Sequence, residues 1–199
     1  MNLKIQFRII FLLMTFGLFV PSSYSQLPTY TMTMSNDSIV APNIYEFDIY
    51  LQRTGTNVFQ LFGFQIGILY DSSAFKGGIL SASWVPGSND SVLVSTRQVS
   101  TSLNTAMNGI IRLDPKVARF GHGTIIANSS PGTRIGRLRL TSTKPFKPQN
   151  ANISWSFDPP WKTLVSAFDN KTHLSVDITV PANHFISFHK RGVPPPVAK

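Results

Sequence analysis

The residues of this chain that could do chemistry are few and scattered. Eight aspartates (Asp37, Asp48, Asp71, Asp90, Asp114, Asp158, Asp169 and Asp177), one glutamate (Glu46) and four histidines (His122, His173, His184 and His189) are spread over 199 positions, and there is no cysteine. The lack of cysteine excludes a thiolate metal site, a cysteine nucleophile and a disulfide framework. Glycoside hydrolysis needs two carboxyl groups about 5 to 10 Å apart across a sugar ring. Here Asp37, Asp71, Asp90, Asp114, Asp158 and Asp169 stand in turn sequences, where carboxylates bond local backbone amides, and Glu46, Asp48 and Asp177 take outward strand positions. A GxSxG nucleophile elbow is absent, and the histidines have no recognisable partner spacing. His184 and His189 are not spaced as zinc ligands are. Asp169, Asn170 and Asp177 could gather oxygen ligands at one loop, but they do not follow the EF-hand pattern. The chain reads as a non-enzyme without a cofactor, with loop calcium as the one metal alternative.

Binding chemistry offers more. Flat aromatic rings stack on sugar faces, and the candidates are Trp84, Trp155, Trp161 and Tyr50. Trp155 alternates with Ile153 and Phe157 and is expected in the core. Trp161 follows Pro159 and Pro160 in a loop and is expected to be the exposed ring. Tyr50 lies beside Asp48 and Gln52 on the polar face of its strand. Arg137 and Arg139 project from one strand face, near Arg134 or Arg112 if those strands adjoin. They could hold an acidic glycan or a protein partner, or form a solvated face. Asn-x-Ser/Thr triplets starting at Asn36, Asn89, Asn128, Asn152 and Asn170 mark polar surface loops.

These residues must be positioned by strands. In Phe62 to Tyr70 the even positions Phe62, Phe64, Ile66, Ile68 and Tyr70 are large and apolar, with Gly63, Gln65 and Gly67 between them. Period two makes this a long strand with one face in a core. Gly63 and Gly67 leave a strip without side chains, expected either to lie under a loop or to form part of a binding face. In Ile44 to Gln52, Tyr45, Phe47, Ile49 and Leu51 alternate with Glu46 and Asp48, which predicts a half-buried strand with a wet outer face, paired with the glycine-containing strand across the turn at Gly55. Thr29 to Ser35 predicts a first edge strand ended by Asn36 and Asp37. Val92 to Val99 reads as a strand and Ser100 to Asn108 as a loop. Leu138 and Leu140 point inward from Arg134 to Thr141. Leu164 to Phe168 and Leu174 to Val180 predict a closing hairpin with Leu174, Val176, Ile178 and Val180 inward, and Phe185 to Phe188 a last edge segment. About nine strands with regular turn signals and no amphipathic helix give an all-β fold, a two-sheet antiparallel β-sandwich or jelly roll.

Composition agrees. The chain is 42% hydrophobic and 14% charged, which suits one domain with a core and neutral polar outer strand positions. Its formal charge of +9 is not gathered into any dense Lys/Arg run, so a nucleic-acid partner is not expected. Residues 1–26 carry Lys4 and Arg8, then an apolar run to Val20, then a small-residue exit, the pattern of a secretory signal peptide. The domain is expected over 27–189 and a Pro-rich tail or linker over 190–199. The product would be extracellular or cell-surface, monomeric, and not inserted in a membrane after signal cleavage.

Three segments carry a resemblance. NIYEFDIYLQRTG (43–55), FQIGILYDSSAF (64–75) and PGTRIGRLRLTSTKPF (131–146) resemble cohesin-like β-sandwich domains, which share a superfamily with several cellulose- and chitin-binding modules. The chain looks in particular like the N-terminal module of secreted bacterial proteins that carry a C-terminal sorting domain. The similarity spans residues 28–188. Tyr70-Asp71 matches the strand-end Tyr-Asp of cohesins, followed by Ser72 where the cohesin motif usually has proline. The resemblance implies a non-catalytic module for protein–protein attachment, with polysaccharide binding as the alternative. Candidate ligand contacts are Trp161, Tyr50, Gly63, Gly67, Arg137 and Arg139.

Overall fold

Alternating apolar and polar residues become two stacked sheets in the computed structural model, which describes residues 27–75, 77–107, 109–115, 117–146, 152–169 and 171–188. The expected leader (1–26) and tail (190–199) lie outside these residues, as do Asn170 and His189. The strands are β1 (Tyr30–Ala41), β2 (Ile44–Arg53), β3 (Gln60–Leu69), β4 (Leu80–Trp84), β5 (Ser100–Met107), β6 (Ile110–Pro115), β7 (Thr124–Ile125), β8 (Thr133–Ser142), β9 (Ser154–Trp155), β10 (Leu164–Phe168), β11 (Ser175–Asp177) and β12 (His184–Ser187), with the short helix α1 (Ser91–Ser95) after β4. Twelve strands thus form among the described residues, where about nine were expected.

One sheet runs β12-β1-β2-β8-β4 and the other β11-β10-β3-β6-β5, with β7 and β9 also paired to β3. Their inner faces meet in a single core. Met32, Met34, Phe47, Ile49, Leu51, Leu138 and Leu140 come from the first sheet, and Leu61, Phe64, Ile66, Ile68, Ile111, Leu113 and Val165 from the second. Each such side chain removed from water contributes roughly 1.5 to 3 kcal/mol. This is the two-sheet sandwich expected from the alternation, and β3 is the central strand of its sheet.

Several local expectations are corrected. β2 and β3 do not form a hairpin, because β2 pairs with β1 and β8 while β3 pairs with β10, β6, β7 and β9. Both strands carry an apolar face, and the connection through residues 54–59 is long enough to cross the roughly 10 Å between packed sheets. Phe59, fully buried within that crossing, packs beside the Tyr30 ring at 6.0 Å. β1 does not stop at Asn36 but continues to Ala41 past a register shift, with Asn36 at φ 54. Nor is it an edge, because β12 pairs with it in parallel, Met32 opposite His184.

Phe62 is not in the core. The pairing of β3 with β10 shifts register between Ser166 and Ala167, so Leu61 turns inward and Phe62 outward, where it meets Phe168 edge-on at 5.3 Å. The segment read as strand then loop is helix then strand. Asp90 caps α1 by accepting a hydrogen bond from Val92 N, which overrides the β-branched pattern of Val92 and Val94. Residues 100–107 become β5 by pairing with β6. In the closing hairpin only Ile178 of the four expected inward residues is buried. Leu174 and Val180 are exposed because β11 is a three-residue edge strand.

His184 opens β12 and sits among rings, with Phe157 at 4.9 Å, Trp155 at 5.2 Å and Tyr30 at 5.7 Å. Its Nδ1 lies 3.0 Å from Val180 O. Burial lowers its pKa below the usual 6.5, against the opposing pull of nearby backbone carbonyls. The neutral ring is therefore favoured in the folded chain, and its contribution to stability is complete above about pH 6.5 and lost as pH falls below it. Denaturant midpoints should be flat from about pH 8 to 7 and drop by about pH 5.5. In His184→Phe this drop should vanish, and an unchanged drop would refute the assignment.

Candidate functional site

The outer face of the β12-β1-β2-β8-β4 sheet is built by two charged strands in register. Glu46 stands opposite Arg139, Asp48 opposite Arg137, and Tyr50 opposite Arg134. Arg137 Nε donates to Glu46 Oε2 at 2.7 Å and Arg139 Nε to Glu46 Oε1 at 2.6 Å. Arg137 also reaches Asp48 at 3.1 Å and Ser38 Oγ at 2.8 Å. Asn36 Nδ2 donates to Asp48 Oδ2 at 3.0 Å, and the Tyr50 hydroxyl donates to the same oxygen at 3.4 Å. Glu46 and Asp48 are only 5% and 3% exposed, so the expected wet face is closed: long arginine side chains from β8 fold over the carboxylates.

Burial pushes the Glu46 carboxyl up, but the hydrogen bonds and charges of Arg137 and Arg139 outweigh it and hold the pKa below the usual 4.5. The stability it supplies is present above that value and lost as pH falls below it. Tyr50, Arg137 and Arg139, three of the expected ligand contacts, are thus joined in one internal network.

On the other sheet the glycine strip of β3 lies under two loops. Thr163 Oγ1 accepts from Gly67 N and donates to Gly67 O, both at 3.1 Å, while Ser156 N donates to Gly67 O at 2.9 Å. A Cβ on Gly67 would stand 2.0 Å from Trp161 O. Gly63 lies under Val117, whose Cγ1 would be 3.0 Å from an added Cβ, and Ala118 N donates to Phe62 O at 2.8 Å. Between the loops a groove of about 240 Å³ remains open, lined by Phe62, Gln65, Asp114, Val117, Leu164 and Ser166. Gln65 Nε2 donates to Lys162 O at 2.7 Å, and Arg112 Nε reaches both Gln65 Oε1 (3.2 Å) and Asp114 Oδ1 (2.9 Å).

The candidate rings are not brought together. Trp84 packs on Gly136 and Tyr50 lies in the charged network of one sheet, while Trp161, expected to be the exposed ring, is half-buried on the other, where its backbone carbonyl covers Gly67, and Trp155 is in the core. The Asp169 and Asp177 carboxylates are also apart, at opposite ends of the β10–β11 hairpin. Asp169 Oδ1 accepts from Thr172 N (2.9 Å) and Lys171 N (2.7 Å), which lowers its pKa, and Asp177 Oδ1 accepts from Thr179 N at 2.9 Å. No group of three or more metal-ligating side chains gathers among the described residues, and no helix among them is long and apolar enough to cross a membrane. Sequence reasoning missed the outward Phe62 and the Val117–His122 loop, whose KVARFGHG run has no period to read.

Three substitutions test this geometry. Glu46→Gln should cost about 2 kcal/mol, less than a fully buried pair because the guanidiniums keep solvent contact, and a ΔΔG near zero in urea melts would contradict the closed face. Gly67→Ala should cost more than about 3 kcal/mol against a backbone carbonyl, whereas Gly63→Ala should cost about 1 kcal/mol because the Val117 side chain can yield. The reverse order would show that the loops cover the strip differently.

No protein-family model matches the sequence, and no curated protein matches it. Solved structures similar to the chain include cohesin modules. The second type II cohesin module from the adaptor ScaA scaffoldin of Acetivibrio cellulolyticus is 12% identical, with 81% of this chain and 88% of that chain covered and a TM-score of 0.48. The seventh ScaB type I cohesin from Pseudobacteroides cellulosolvens is 10% identical, with 80% and 88% covered and a TM-score of 0.46. A part of the endoglucanase CelQ from Clostridium thermocellum is also similar, at 10% identity, 83% of this chain, 28% of that chain and a TM-score of 0.36.

Proposed function

We propose that the chain is a non-catalytic attachment module that binds a protein partner through the outer face of the β11-β10-β3-β6-β5 sheet. The observation that carries this reading is the contrast between the two outer faces. One is filled by mutually paired charges. The other keeps an apolar-lined groove between Phe62, Val117 and Leu164, with Phe120 67% exposed beside it. Apolar surface left open beside polar neighbours is where partners dock. Trp161, Gly63 and Gly67 belong to this face as its covered floor and flank. The resemblance of residues 43–55, 64–75 and 131–146 to cohesin-like domains implies the same class of function. Residues 1–26 act as the export leader, so the module works outside the cell or at its surface, as a monomer joined to its surroundings by residues 190–199.

Against catalysis, the described carboxylates other than the exposed Asp158 are engaged by arginines, by Tyr45 or by turn amides rather than paired with one another. Against polysaccharide binding, the rings that would stack on sugars are divided between the sheets and the core. The test is capture by the immobilised full chain from the exported fraction of its own host, followed by reconstitution with the purified partner. Val117→Asp and Phe62→Ser should each weaken that complex at least about ten-fold, a loss on the scale of an interface anchor, while Ser83→Asp on the opposite sheet should leave it unchanged. Binding to insoluble polysaccharide that is lost in Trp161→Ala would overturn the reading in favour of the carbohydrate one.

A further inference from the structure

A second cleft lies on the far side of Val117 and does not depend on the attachment reading. One wall is the end of α1. Arg97 N donates to Val94 O at 3.1 Å and Gln98 N to Leu93 O at 2.9 Å, the closing motif of a helix whose turning residue is usually glycine. Here that residue is Arg97, at φ 58. The wall is fixed from behind by Gln98, which is buried. Its Nε2 donates to Leu61 O and Phe62 O, both at 3.1 Å, and its Oε1 accepts from Thr124 N and Thr124 Oγ1, both at 2.6 Å.

The other wall is the turn from Arg119 to His122, closed by His122 N donating to Arg119 O at 2.9 Å, with Gly121 at φ 70. The turn is anchored to the same stretch of β3 through Ala118 N to Phe62 O at 2.8 Å and Gln60 Nε2 to Gly121 O at 3.1 Å. Together the walls enclose about 540 Å³, lined by Ser95, Thr96, Arg97, Val117, Arg119 and His122.

The charge in this cleft is unbalanced. Arg112, Arg134, Arg137 and Arg139 each stand beside a carboxylate. Arg97 and Arg119 have no carboxylate partner among the described residues, and no acidic residue lines the cleft. The hydroxyls of Ser95 and Thr96 already donate to Val92 O, both at 2.9 Å, so among the described lining residues the side-chain donors left without a partner belong to Arg97, Arg119 and His122. Forked N–H groups from two directions match the oxygens of a carboxylate, sulfate or phosphate. The backbone also bears a strain at Arg97 that glycine would avoid, and such outliers concentrate where a side chain is needed.

We propose that this cleft is an oxyanion site, in which Arg97 and Arg119 clasp a carboxylate, sulfate or phosphate group of a ligand and His122 closes the third side. The test titrates the full chain with sodium acetate, sodium sulfate and sodium phosphate by NMR or calorimetry, at constant ionic strength in sodium chloride. Saturable binding of at least one of the three is expected, and the anion that saturates at the lowest concentration identifies the source. Arg119→Gln and Arg97→Gly should each weaken it about ten-fold or more. Arg97→Gly is the decisive variant. Without anion its melting temperature should equal or exceed that of the parent, because glycine suits the turn, so its loss of binding cannot be ascribed to unfolding. No saturable binding by any of the three anions, or binding undiminished in both variants, would overturn the proposal.

Discussion

Everything in this molecule depends on keeping two inner faces dry and in contact without a covalent tie. With no cysteine in the chain, Phe47, Ile49 and Leu51 on one sheet must be held against Leu61, Ile66 and Ile68 on the other by burial alone. The connections share in this. Phe59 in the crossing from β2 to β3, Leu93 in the helix after β4 and Ile126 after β7 are all buried in the same core, so each passage over the rim of the sandwich also plugs it. The loops that shape the surface are therefore extensions of the core rather than additions to it.

The charged face of β2 and β8 serves a different end. Burying two carboxylates is costly, and a paired cluster is weak evidence for stability. What it fixes is alignment. Glu46 opposite Arg139 and Asp48 opposite Arg137 allow one pairing of the two strands, and a slip of one residue would turn either the acidic groups of β2 or the arginines of β8 into the core. Apolar packing tolerates small displacements, and these ion pairs do not. That face pairs its charges within the molecule, whereas the opposite sheet keeps an open apolar-lined groove and the cleft at Arg97 holds two arginines without a carboxylate partner among the described residues.

Long-period features were legible in the sequence and context-dependent ones were not. The inward faces of β2 and β8 and the core position of Trp155 follow from alternation. Alternation cannot tell which sheet a strand joins, so β2 and β3 were expected to pair although they face each other across the core. It also cannot register a bulge, which is why Phe62 was placed inside. Burial of Glu46 and Asp48 depends on arginines some 90 residues away in the chain, and the anion cleft on a helix end and a turn that meet only at β3. The polar stretch 100–107 holds as a strand only because β6 pairs with it.

The parallel pairing of β12 with β1 has a consequence for the order of events as the chain forms. Met32 to Ser35 present backbone groups that His184 to Ser187 satisfy, so the edge of one of the first strands made stays open until nearly the whole domain exists. An open strand edge is a template for any extended segment nearby, and closing it requires contacts between distant parts of the chain, the slowest kind to form. The aromatic nest of Tyr30, Trp155 and Phe157 around His184 is completed by the same arrival. Folding of this sandwich finishes at its first strand, and the nascent chain carries an unguarded edge until residues 184–187 have been made.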